Sequence, residues 1–142
     1  MPRNLRVLFL LTDIGFLLYW GLSGAMALGL VRVPADWLFR DYTDPNIVAW
    51  NWSFLPLDLL ASFTGLGAVW LARGASRSER SWQPLALISM TLTFCAGFLA
   101  LSFWSFQCSF DLGWWASNLF LVAWPLAALA AARKQVLAPA SA

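Results

Sequence analysis

Two aspartates inside long apolar runs are the residues of this chain best placed to do chemistry. Asp58 lies in DPNIVAWNWSFLPLDLLASFTGLGAVWLAR, residues 44–73, together with Asn51 and Pro56, and Asp13 lies in the run from Leu5 to Val31. A carboxylate at bilayer depth costs about 3 kcal/mol or more, so it normally faces a protein interior, where it holds a proton, a cation or a hydrogen-bond donor. Pro56 has no N–H to give a helix, which frees a backbone carbonyl near the same carboxylate. Asn51, Leu55, Asp58, Ser62 and Gly65 recur at i, i+4, i+7, i+11 and i+14, one side of an α-helix. That side is polar or small, as suits a surface packed on other helices or lining a cavity. Phe54, Leu57, Leu60 and Val69 are predicted to face lipid.

The other apolar runs carry matching faces. Asp13, Trp20, Gly24 and Ala27 share one side of the first, Ser89, Thr93, Ala96 and Ala100 of the third, and Asp111, Asn118 and Pro125 of the fourth. At 1.5 Å per residue, Asp13 lies about 12 Å into its run and Asp58 about 20 Å from the cytoplasmic end of its own. Those heights allow a ligand site with Asp58 at its centre, Asp13 below, and Asn51 and Asn118 above. Trp50 and Trp52 flank the polar face, and Trp20 lies on the side of Asp13. The chemistry would be binding of a cationic or hydroxyl group on a lipophilic body. Structural alternatives stand beside each residue. Asp13 snorkels or accepts from a neighbouring Ser or Thr, Asp58 is a protonated carboxyl bonded to another helix, and the asparagines bridge helices. Asp111 is predicted to cap its helix.

Enzyme chemistry finds little support. The chain has no histidine, which removes the commonest general base and metal ligand. It shows no metal-ligand spacing, no phosphate-cradling glycine loop and no nucleophile elbow. Neither a cofactor nor a metal is predicted. No basic patch interleaved with aromatics points to nucleic acid. Cys95 and Cys108 fall roughly 20 Å apart along one predicted helix, beyond disulfide reach.

The elements that hold these residues follow from composition. Hydrophobic residues make up 61% and charged residues 11%, against about 45–50% and about 25% in soluble domains. The 142 residues form one domain, all-α, a polytopic membrane protein with a four-transmembrane-helix bundle. Its spans are 5–31, 46–72, 84–106 and 111–132, each long enough for a bilayer core that needs about 20 residues. Arg3, Arg6 and the A-x-A look of Ala25-Met26-Ala27 raise a signal-peptide reading. The run exceeds an h-region of about 7–15 residues and carries Asp13, which favours a span. Trp37, Phe39 and Tyr42 in the polar connection VRVPADWLFRDYTDP, residues 31–45, suit a short surface-lying piece. Most other tryptophans fall near predicted interfaces.

Arg3, Arg6, Arg73, Arg77, Arg80, Arg133 and Lys134 collect on one side. Arg32 and Arg40, offset by Asp36, Asp41 and Asp44, stand on the other. The positive-inside rule puts both termini and the middle loop in the cytoplasm. GLSGAMALG, residues 21–29, offers small residues for close helix contact, hence a homodimer or a subunit of a larger membrane complex.

LFRDYTDPNIVAWNWSFLPLDLLASFTGL, residues 38–66, resembles the YvaD-like family of small bacterial membrane proteins. The likeness extends from LLTDIGFLLYW at residues 10–20 to the fourth span, and it implies four spans. Asp44-Pro45, Asp58 and Pro125 are also similar to positions in the emopamil-binding and sigma-2 receptor superfamily. That likeness implies a cavity for sterols or lipophilic amines, with Asp58 facing it. The sterol isomerases of that group use histidine, so the departure here leaves binding rather than isomerisation. The expected function is therefore a membrane protein binding a lipophilic small molecule among its helices, in contact with membrane lipid. The alternatives are an accessory subunit and a proton- or cation-coupled transport role through Asp13 and Asp58.

Overall fold

The computed structural model describes residues 1–32, 34, 41, 43–74 and 81–137, with side chains for all of these except 74 and 133–137. The proposed surface piece around Trp37, Phe39 and Tyr42, and the loop arginines Arg77 and Arg80, lie outside the described residues. All regular structure among the described residues is helical: α1 (Arg3–Ala27), α2 (Pro45–Ser53), α3 (Leu55–Gly74), α4 (Gln83–Phe106) and α5 (Leu112–Leu137). Among the described residues, four stretches are long and apolar enough to cross a membrane: Arg3–Ala27, Pro45–Arg73, Gln83–Phe106 and Leu112–Ala132.

Local chemistry sets the ends. α1 stops four residues short of the predicted Val31 because Gly29 takes a φ of 71°, a left-handed conformation that a Cβ disfavours. Leu30 N–H then donates to the Ala25 carbonyl and Gly29 N–H to that of Met26, both at 2.9 Å. The last carbonyls of α1 are thereby satisfied. Asp44 caps α2 by accepting from Asn46 N–H at 2.8 Å, with Pro45 at the first helical position. Asp111 caps α5 as predicted, accepting from Trp114 N–H at 2.9 Å.

The predicted second span is one apolar stretch but two helices. Phe54 separates α2 from α3; its N–H donates three residues back, to Asn51, at 3.1 Å. The four-back pattern resumes at Asp58 N–H to Phe54 O, 2.9 Å. Pro56 explains the interruption, since it has no N–H for the Trp52 carbonyl and biases Leu55 away from helical angles.

The chain falls into two compact units, Met1–Ser89 and Met90–Ala142. In the first, α3 packs on α1, and α2 on α3. Trp20 stands opposite Asp58 and Asp13 opposite Gly65, so seven residues along α1 match seven along an antiparallel α3. The start of α4 joins them: a Cβ on Gly65 would lie 2.7 Å from Ser89 Oγ, and one on Gly67 3.3 Å from Leu85 Cδ1. The stripe Asn51, Asp58, Ser62 and Gly65 is buried, and Leu60 on the other side is 52% exposed. Val69 corrects the lipid-facing prediction, being only 2% exposed. It stands seven residues after Ser62 and so continues the stripe itself. Ser89, Thr93, Ala96 and Ala100 are all buried along α4, as their spacing predicts. Cys95 and Cys108 are free thiols.

In the second unit α4 meets α5 backbone to backbone. A Cβ on Gly97 would lie 2.7 Å from the Asn118 carbonyl oxygen and 2.8 Å from Leu121 Cβ. A backbone atom cannot swing aside as a flexible side chain does. Gly97→Ala should therefore destabilise the protein by about 2 kcal/mol, read as a lower unfolding midpoint in mixed micelles.

Candidate functional site

The polar side chains of the first unit form two layers along the α1–α3 seam. In one layer, Trp20 Nε1–H donates to Asp58 Oδ2 at 2.9 Å, and the neighbouring Tyr19 hydroxyl donates to Asn51 Oδ1 at 2.9 Å. Adjacent residues of α1 thus hold α3 and α2, one each. The Trp20 ring lies 5.0 Å from Tyr19 at 80° and 5.5 Å from Trp52 at 49°. Asp58 is 5% exposed, yet its Oδ1 has no hydrogen-bond partner, and neither has Asn51 Nδ2. A buried acceptor left unmade costs about 1–3 kcal/mol, so this layer retains unused binding capacity in an aromatic setting. A carboxylate fixed at one oxygen by an indole N–H and left open at the other is chemistry that can hold a cationic group.

In the other layer Asp13 is fully buried, and both of its carboxylate oxygens lack a partner. Its carboxylate lies against the bare α-carbon of Gly65, as does Ser89 Oγ. Ser62 Oγ–H donates to the Asp58 carbonyl at 2.8 Å and reaches the Asp13 carbonyl at 3.3 Å. It ties the backbones at the two acids together while leaving both carboxylates free of it.

The structure thus brings Asp58, Trp20, Asn51 and Asp13 into one seam. Trp50 stands edge-on to Phe54 at 5.0 Å and 75°, and the flanking Trp52 meets Trp20. Asn118 belongs to the second unit, where its Nδ2 donates to the Trp114 carbonyl of its own helix at 2.8 Å. Tyr19 is the participant that spacing missed. The available signal was a phenol in the middle of an apolar run, since a buried tyrosine hydroxyl normally finds a partner.

Among the described residues, fold and site together define an all-helical protein with four membrane-length apolar stretches and two buried acids on one helix pair. Residues 5–136 match the family described as "Family of unknown function (DUF5360)", and the chain belongs to that family. It is similar to "Uncharacterized protein YvaD" of Bacillus subtilis (strain 168), 46% identical over 124 residues that cover 87% of each chain. The resemblance to the YvaD-like family is thereby borne out. No solved structure matches the chain.

Proposed function

We propose that this chain is an integral protein of the bacterial plasma membrane, with both termini cytoplasmic, and that it binds a lipophilic amine at Asp58. Membrane residence is supported by large apolar side chains turned outward along the helices, such as Leu18, Phe63 and Trp70, the last 71% exposed. A water-soluble monomer rarely leaves so much apolar surface uncovered. Orientation rests on the arginine and lysine asymmetry of the sequence.

One observation carries the ligand reading: Asp58 is buried, its Oδ1 is unpartnered, and its Oδ2 is held by Trp20, which itself packs against Trp52. Trp20 fixes the carboxylate, and a protonated amine would supply the missing donor and charge. The indole faces would take its apolar substituents. The test is a thermal-shift screen in nanodiscs with N,N-dimethyldodecylamine and uncharged 1-dodecanol. The amine should raise the melting temperature of the wild type well beyond dodecanol, and Asp58→Asn should erase the difference. Equal amine shifts in both proteins contradict the contact.

A further inference from the structure

We propose that Asp13, Ser89 and the bare α-carbon of Gly65 form a second site, for a monovalent hard cation, with sodium as the ion it takes. Asp13 and Ser89 are both fully buried. Neither carboxylate oxygen of Asp13 and not the Ser89 hydroxyl has a hydrogen-bond partner, although both groups crowd the same point above Gly65. A carboxyl group that was merely protonated and stored would settle by trading hydrogen bonds with the adjacent hydroxyl. Here a carboxylate oxygen of Asp13 and the Ser89 hydroxyl oxygen face one place with neither of those bonds made, and paired buried oxygens of that kind are ligands a hard cation selects.

The charge balance points to a single positive charge. Arg6, two turns before Asp13 on α1, makes no hydrogen bond to it and leaves its own Nε without a partner. On α3 the acid of the seam is Asp58, whose Oδ2 is engaged by Trp20. Among the described residues no three of His, Cys, Asp and Glu converge on one point, so a divalent ion has no matching ligand set. One carboxylate neutralises one monovalent ion, and oxygen-only ligands favour a hard one. Gly65 is the residue that makes the space, because any side chain there would occupy the position of the carboxylate. The inference rests on the geometry of Asp13 and does not depend on the amine reading.

The test is the melting temperature of the full chain in nanodiscs, titrated with sodium chloride against choline chloride at constant ionic strength. Sodium should give a saturating rise of about 3 °C or more, as a ligand that binds only the folded state does. The rise should vanish in Asp13→Asn and persist in Asp58→Asn, which separates this site from that of the amine. Ser89→Ala, which removes one oxygen and no charge, should shift the sodium midpoint about tenfold upward. It decides the matter should Asp13→Asn fail to fold. Identical curves in sodium and choline overturn the proposal, as do an unchanged sodium midpoint in Ser89→Ala and a sodium response surviving in Asp13→Asn. A melting temperature that follows pH alone would make the occupant a proton and equally overturn it.

Discussion

Gly65→Ala should destabilise this protein by about 3 kcal/mol, although alanine is the better helix former by about 1 kcal/mol. The reversal of sign is the informative part. At Gly15 and Gly24 nothing lies within 4 Å of an added Cβ, so alanine there should be neutral or stabilising. At Gly65 the same methyl group meets the Asp13 carboxylate and sits 2.7 Å from Ser89 Oγ. Helix α3 must then move off α1 and α4, or the carboxylate must leave its place. Close approach at small residues is a main source of helix affinity within lipid, so either response is expensive. Equilibrium unfolding in mixed micelles measures it. A Gly65→Ala variant as stable as Gly15→Ala would show that the α1–α3 contact is looser than described.

The second large effect is expected at Trp20. This side chain is 5% exposed, contacts the rings of Tyr19 and Trp52 and donates to Asp58. Trp20→Ala should cost about 3 kcal/mol through lost packing and an orphaned carboxylate. Trp20→Phe retains most of the ring and removes only the N–H, so its cost should be near 1 kcal/mol. A double-mutant cycle with Asp58→Leu isolates the pair. Coupling near 1 kcal/mol is the expected result, and additive effects would mean that the hydrogen bond does not form in the membrane.

The helices and the face of the second span were legible because both depend on period alone. Apolar runs of bilayer length gave the elements, and spacing placed Asn51, Asp58, Ser62 and Gly65 on one buried stripe. Asp13 was recognisable for a similar reason, as an acid in an apolar run. The partner of Asp58 was not legible. Trp20 was singled out for sharing a side with Asp13, whereas its pairing with Asp58 depends on the α1–α3 register. That register is set by contacts between residues 38 or more positions apart in sequence, such as Trp20 and Asp58. The break at Phe54 was half visible: Pro56 announced a missing hydrogen bond, but not that α2 would end and α3 begin within one residue. Asn118 shows the limit of periodicity. A seven-residue repeat identified its face, and its amide then bonded within α5, a local competition that spacing does not resolve.

The most direct measurement of the account is a calorimetric titration of N,N-dimethyldodecylamine into nanodisc-embedded protein, for wild type, Asp58→Asn and Asp13→Asn. Saturable binding to the wild type is predicted, weakened at least tenfold by Asp58→Asn, the loss of roughly 1.4 kcal/mol or more that a charge-assisted contact represents, and unaltered by Asp13→Asn. The same affinity in wild type and Asp58→Asn would contradict the claim that the carboxylate of Asp58 holds the guest.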